Sequence, residues 1–283
     1  MGKYYILYNP YSGSWESKTD AECLYVVDNI NELLLIDMTS IESYEKFFAD
    51  IFDGDGIVIC GGDGTLNRFV NETRHIKHGA EIYYYPSGGG NDFFRDIKGS
   101  PNPSIVRVTN YLKGLPTVTV KGEEHLFING VGYGIDGYCC QIGDEKKRQG
   151  KKKVNYTKIA INGLLFHYKP TNATVTVDGV DHKFKKVWIA PTMNGRYYGG
   201  GMMPTPHQKR NGKYLSVMVF HGAGRLKTLL IFPSIFKGKH TKHNCEVSIL
   251  TGKKISISFD EPRPLQIDGE TVKDVLEYTA KIN

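Results

Sequence analysis

The sequence has no long apolar run. Its most apolar stretch, 228–236, is interrupted by Pro233 and falls far short of the roughly 20 residues that a bilayer-spanning helix needs. The opening run 4–8 is too short for a secretory signal, so export is not expected. Cysteine is scarce: Cys23, Cys60, Cys139, Cys140 and Cys245 form an odd set without metal-type spacing. They read as reduced packing residues of a cytoplasmic protein. The sequons at Asn71, Asn155 and Asn172 carry no weight without a secretory signal. A large excess of one charge is also lacking. Thirty-six basic against 30 acidic residues leave +6, which suits anionic partners such as phosphates and acidic membrane surfaces. That density is too low to suggest a nucleic-acid partner.

What is present is enough for two domains: 283 residues, 40% of them apolar. Short β-branched or aromatic runs at 4–8, 33–36, 57–60 and 81–85 alternate with helix-period stretches at 16–29, 41–52, 65–71 and 91–95. Thr39 or Ser40 is placed to cap the second of these helices. Strand-then-helix units in this order predict an α/β domain on a mostly parallel sheet. Near Leu115 the pattern changes to two-residue alternation, as in 117–121 and 174–178, followed by runs at 186–190, 214–220, 246–250 and 255–259. With turns at Asp178-Gly179 and Asn211-Gly212, this predicts an all-β sandwich or open barrel. Helical patterns at 156–167 and 226–236 interrupt it. The expected domains are 1–115 and 116–283, with room for the last strand to return to the first domain.

The buried run 57–60 leads into Gly61-Gly62-Asp63-Gly64-Thr65 and a helix start. Glycines let backbone N–H groups approach a polyphosphate, and the helix adds its positive end. Asp63 would repel bare phosphate, so it implies either a cation or a hydrogen-bonding role. A second turn, Ser87-Gly88-Gly89-Gly90-Asn91-Asp92, follows the next strand and is expected on the same carboxyl edge. Asp92 and Arg95, three apart, either face one substrate or form a local ion pair.

A third loop, Asn9-Pro10-Tyr11-Ser12-Gly13, follows the first strand but lacks a Walker ending. The segment 132–137 formally fits a dinucleotide fingerprint, yet no βαβ unit surrounds it, so it reads as a structural turn. Near the carboxyl end Asp268-Gly269-Glu270 places two carboxylates around a glycine. By spacing alone this is equally a surface turn or a proton-accepting acid with an orienting partner.

Taken in order, Asn9-Pro10 with Ser12-Gly13, Gly61 to Thr65, Gly88 to Phe93 and Asp268-Gly269-Glu270 resemble the diacylglycerol kinase catalytic family. That family includes sphingosine and ceramide kinases and is more distantly similar to NAD kinases and phosphofructokinases. The resemblance implies an NAD kinase-like or phosphofructokinase-like α/β domain plus a β-sandwich, with ATP and substrate in the cleft between them. It implies nucleotide contacts from Asn9, Ser12, Thr39, Gly62, Asp63, Gly64, Thr65 and Ser87. It further implies activity roles for Asp92 and Arg95, Asp268 as the base, Glu270 as its acidic partner, and ATP with Mg2+ as cofactors.

The chain departs from the family pattern at Gly89, where threonine is usual, at Arg68, where an acid is usual, and at Ser14, where a basic residue is frequent. A structural magnesium held by some members would fall on Gln208, Asn211 and Gly212, without the customary aspartate charge.

Lipid phosphorylation also implies peripheral membrane contact, for which the sequence offers Lys146-Lys147-Arg148 with Lys151-Lys152-Lys153 and the apolar stretch 226–236 among flanking lysines. A solvated loop and a core helix are the competing readings of these two features. The expected activity is phosphoryl transfer to a lipid hydroxyl such as that of diacylglycerol, by a cytoplasmic, membrane-peripheral protein. A homodimer is left open. The alternatives are an NAD kinase-type metabolite kinase and a catalytically silent lipid- or nucleotide-binding relative.

Overall fold

In the computed structural model, residues 2–10, 18, 21–22, 33–100, 102–151, 154–210 and 213–283 are described. The chain divides into two compact units, Met1–Gly114 and Leu115–Asn283.

The first unit runs β1 (Tyr4–Tyr8), β2 (Leu33–Asp37), a 3-10 turn (Met38–Ser40), α1 (Tyr44–Ala49), β3 (Gly56–Gly61), α2 (Asp63–Thr73), β4 (Glu81–Pro86), α3 (Asp92–Lys98), β5 (Val106–Arg107) and α4 (Thr109–Leu112). The sheet order is β2-β1-β3-β4-β5. The first four strands are parallel, and β5 closes the edge antiparallel to β4. β3 is buried along its whole length because helices need both of its faces. α2 turns Leu66, Phe69 and Val70 inward and keeps the Arg68–Glu72 ion pair on its exposed side.

The helix expected over 16–29 lies largely outside the described residues. The one expected over 41–52 is shorter and starts later: the Ser43 hydroxyl, not Thr39 or Ser40, caps it by accepting the Lys46 N–H at 3.3 Å. Thr39 belongs to the preceding 3-10 turn, where its N–H and hydroxyl both donate to the Asp37 carboxylate at 2.8 and 2.7 Å. An acid closing a strand captured the donors first.

The second unit continues with β6 (Thr117–Val120), β7 (Glu123–Leu126), β8 (Gly130–Tyr133), α5 (Ile135–Arg148), α6 (Tyr156–Asn162), a π turn (Gly163–His167), β9 (Thr171–Val177) and β10 (Val180–Val187). It ends with β11 (Thr192–Met193), β12 (Leu215–Phe220), α7 (Arg225–Ile231), two 3-10 turns (Phe232–Lys237 and Lys239–Lys242), β13 (Val247–Gly252), β14 (Lys254–Ile267) and β15 (Glu270–Lys281). These strands form an antiparallel sandwich. β14 serves both leaves: residues 255–259 pair with β9 and 265–267 with β8, with a register break between them. Pro262 and Pro264 sit in that break, where a missing N–H removes no ladder bond.

Val118, Val131, Tyr133, Val175, Val217, Ile257, Leu265 and Tyr278 fill the interior between the leaves. β15 pairs with β14 and β6, so the last strand stays in the second unit instead of returning to the first sheet. Of the run expected over 186–190 only Lys186 and Val187 belong to hairpin strand β10, while Ile189 makes isolated bridges to Gly134 and Phe220; the turn of the hairpin is the expected Asp178-Gly179 at φ 48° and 88°. Asn211-Gly212 lies outside the described residues.

α5 was not legible. The stretch 132–137 is a strand-to-helix junction, and the glycines in it are packed against protein. A Cβ on Gly132 would fall 1.6 Å from the Asp136 carboxylate, and one on Gly137 2.0 Å from the Pro264 carbonyl. Lys146, Lys147 and Arg148 form the last turn of this 14-residue helix, where cations complement the helix dipole. Lys147 is 3.7 Å from Asp144 and lies over the Tyr156 ring, so part of the basic run has internal duties.

Candidate active site

Because β1 to β4 are parallel, their carboxyl ends share one edge of the first sheet. Asn9, the 3-10 turn with Thr39, the turn 62–65 and the turn 87–91 all follow those ends. Chain order reverses between β1 and β3, and a crevice at such a switch point is where open α/β sheets take ligands. Ser12 lies outside the described residues.

The two glycine turns lie backbone to backbone. A Cβ on Gly88 would stand 2.5 Å from the Gly62 Cα, and one on Gly62 3.2 Å from the Gly88 Cα. Neither position admits a side chain without moving the other turn. By contrast, a Cβ on Gly64 or Gly89 meets nothing within 4 Å. Two glycines therefore serve the junction, while two leave open space beside backbone N–H groups.

Asp63 ties the turns together. Its Oδ2 accepts the Asp92 N–H at 2.8 Å and its Oδ1 the Phe93 N–H at 2.9 Å, so the first residue of α2 caps the start of α3. Of the two roles open to this acid, the structure shows the hydrogen-bonding one. Asn91, left-handed at φ 51°, holds the same turn by accepting the Gly88 N–H at 3.1 Å and donating to its carbonyl at 2.6 Å. Ser87 N–H donates to the Gly61 carbonyl at 3.0 Å. Asp92 is buried in the first turn of α3, and half-buried Arg95 is one turn further. Beneath them the Tyr84 hydroxyl is pushed well up by burial first and then by Asp63 nearby.

In the second unit Asp268 occupies the left-handed tip of the β14–β15 hairpin, at φ 46°. Its carboxylate accepts N–H bonds from Ile128, from Asn129 at 2.8 Å and from Gly130 at 3.0 Å. Arg210 braces that nest, donating to the Ile128 carbonyl at 2.5 Å and to Asn129 Oδ1 at 2.9 Å. Glu270 begins β15 and is exposed.

A buried chain of contacts supports the hairpin tip. Gly269 N–H donates to Gln266 Oε1 at 2.6 Å, and Gln266 Nε2 lies 3.4 Å from Asp136 Oδ2. Burial pushes the Asp136 carboxyl up to about 6, against the opposing pull of Gln266 and the Gly137 N–H. Sequence reasoning missed Asn129, Arg210, Gln266 and Asp136. The one available signal was an acid among the glycines of 132–137, which has no reason to be there in an ordinary turn.

Gln208 does not fit the expected ligand role. Its Nε2 donates to the carbonyls of Tyr214 at 2.8 Å, Lys209 at 3.3 Å and Asn194 at 3.4 Å, while its Oε1 accepts from Ser216 at 2.6 Å. An amide NH2 stands among the carbonyl oxygens that a cation would need. Asn211 is outside the described residues, and among those described no three His, Cys, Asp or Glu side chains cluster as metal ligands do.

Residues 3–117 match the diacylglycerol kinase catalytic domain, and residues 129–280 match the YegS C-terminal NAD kinase beta sandwich-like domain. The chain is 25% identical over 234 residues to a Bacillus subtilis (strain 168) protein named "Putative lipid kinase YtlR", covering 76% of this chain and 73% of that one. It is 24% identical over 227 residues to a Mycobacterium tuberculosis (strain H37Rv) protein named "Diacylglycerol kinase", covering 72% of this chain and 66% of that one. A solved Bacillus anthracis str. Sterne structure covers 99% of this chain and is itself 92% covered, with TM-score 0.70 at 19% identity. A second from the same organism, described as a diacylglycerol kinase, gives 0.60 at 17%, with 99% and 94% covered. These structures establish the fold. With abutting glycine turns in the first unit, an acid-tipped hairpin in the second and both domain families matched in order, the chain belongs to the lipid kinase family that joins a diacylglycerol kinase catalytic domain to a YegS-type β-sandwich.

Proposed function

We propose that this protein transfers the γ-phosphoryl group of ATP, taken up with Mg2+, to the hydroxyl of a lipid such as diacylglycerol. The observation that carries the reading is the fused pair of glycine turns on the carboxyl edge of the first sheet, with Gly64 and Gly89 left open. Phosphoryl transfer asks little covalent work of the protein and depends on positioning and charge stabilisation. Backbone N–H groups beside Gly64 and Gly89, with the amino terminus of α2, supply donors fixed before substrate arrives.

Asp63 keeps those donors in register by capping α3, which carries Asp92 and Arg95. Asn9, Thr39, Thr65 and Ser87 complete the nucleotide lining on the same edge. Mg2+ bound with the nucleotide would supply positive charge to offset that on the transferring group.

Asp268 is assigned the acceptor proton and Glu270 the role of its acidic partner. The three N–H groups on Asp268 fix its orientation at the hairpin tip. Exposed Glu270 stands two residues beyond it, at the start of β15.

The test is transfer of label from γ-labelled ATP to mixed micelles of diacylglycerol, ceramide or a sphingoid base, with NAD as a soluble control. Label in a lipid, lost in Asp268→Asn, is expected. Labelled NADP with unlabelled lipid, or no transfer to any acceptor, would overturn the reading.

A further inference from the structure

We propose that α6, the π turn and α7 form one docking surface for a bilayer containing anionic lipid. Among the described residues twelve large hydrophobic side chains are exposed, and six of them fall in two short stretches, 156–167 and 225–236. Ile161 is 43% exposed, Phe166 70%, Leu226 74% and Leu230 81%. Single exposed apolar residues are ordinary, but a concentration of this kind marks an interaction site.

The elements presenting these side chains are anchored. Ile159 on α6, Leu164 in the π turn and Ile231 on α7 are buried in one core cluster with Trp188 and Ile235. Leu226 and Leu230 are one turn apart and share the opposite face of α7. The Arg225 guanidinium donates to the Leu164 carbonyl at 2.7 Å, which sets the start of α7 beside the π turn that carries Phe166. The wider π winding at Gly163–His167 buries Leu164 and leaves Phe166 outside.

Charge selects the occupant. Residues 156–169 and 225–245 hold seven Lys or Arg residues and no Asp or Glu. Lys158, Lys169, Lys237, Lys239 and Lys242 are exposed, while Lys227 is tied to Glu246 just beyond the second stretch. An apolar face rimmed by cations matches the acyl and headgroup layers of an anionic leaflet. A second copy would bring the same cations against each other across a two-fold axis, which disfavours a homodimer through this face.

Docking can be measured without turnover, so it stands or falls separately from the phosphoryl-transfer reading. The full chain is sedimented with phosphatidylcholine vesicles with and without phosphatidylglycerol. Binding to the anionic vesicles is expected, with Leu226→Ser/Leu230→Ser and Phe166→Ser each weakening it at least about tenfold at an unchanged melting temperature. Failure to bind anionic vesicles would overturn the proposal. So would binding that the substitutions leave undiminished, because surface charge alone would then account for it. If the substitutions instead dissociate a dimer in sedimentation velocity while vesicle binding is absent, the face joins two copies and the proposal fails.

Discussion

Asp136→Asn should change how stability depends on pH, in a direction fixed by burial. The carboxyl is pushed from 3.8 to about 6 because burial penalises its charged form more than Gln266, the Gly137 N–H and Tyr198 favour it. Below pH 3.8 the acid is protonated in both folded and unfolded chains and costs nothing. Between 3.8 and about 6 the unfolded chain ionises while the folded one does not, so stability falls with rising pH; above about 6 both are ionised and the full cost remains. At 1.36 kcal/mol per unit, this amounts to roughly 3 kcal/mol by pH 7. Asparagine cannot ionise and escapes that cost.

Its altered contact with Gln266 adds an offset that does not vary with pH. Neighbouring Cys139 is pushed up to about 12, and Tyr198 is also raised by burial, so neither ionises in this window. Urea unfolding of both proteins from pH 3.5 to 8 should show the variant gaining about 3 kcal/mol relative to the parent across the range. Parallel pH profiles would refute the assignment of Asp136 as a buried acid paying for its charge.

The glycines of the two turns should separate by function. Gly88→Ala drives a Cβ to 2.5 Å from Gly62 and is expected to cost about 2 kcal/mol of stability, whereas Gly89→Ala should leave thermal unfolding nearly unchanged and weaken ATP binding in a fluorescence titration. Removal of Mg2+ with EDTA should abolish turnover without shifting the melting temperature, since the Gln208 amide is already engaged by protein carbonyls and not by an ion. Glu270→Gln, at an exposed strand end, should lower kcat at unchanged stability, while Asp268→Asn lowers both, because its carboxylate also pins the backbone of 128–130.

The α/β unit was legible because its parallel strands are short and mostly apolar and two of them run into glycine turns, as in the run into Gly61-Gly62. The short elements escaped. β5 and β11 are two residues each and have no periodicity to read. α5 was hidden because Gly134 stands at its N-cap and Gly137 in its first turn, glycines that are there for close packing against Trp188 and Pro264 and read as loop. At the site, the positions of the acids could be read but their partners could not. Nothing in the sequence near Asp268 announces that Ile128, Asn129 and Gly130 will converge on it from 138 to 140 residues away. Contacts of that range are set by strand pairing between β8 and β14, which the alternation pattern leaves undetermined.

The same distinction governs what mutagenesis of Asp63 can establish. Its two oxygens cap α3 from the other turn, so Asp63→Ala leaves the Asp92 and Phe93 N–H groups without their acceptor. About 2 kcal/mol of stability is expected to go with them. Loss of activity in that variant follows from displaced turns whether or not the carboxylate meets a cation, and therefore decides nothing about chemistry. Asp63→Asn keeps one acceptor and removes the charge. If the acid acts through its caps, the asparagine variant should recover part of the stability lost in alanine and a matching part of kcat. If it acts on nucleotide-borne Mg2+, stability should recover while kcat stays at the alanine level and the Mg2+ concentration for half-maximal rate rises. Recovery of kcat in step with the melting temperature would show that this acid serves the geometry of the turns alone.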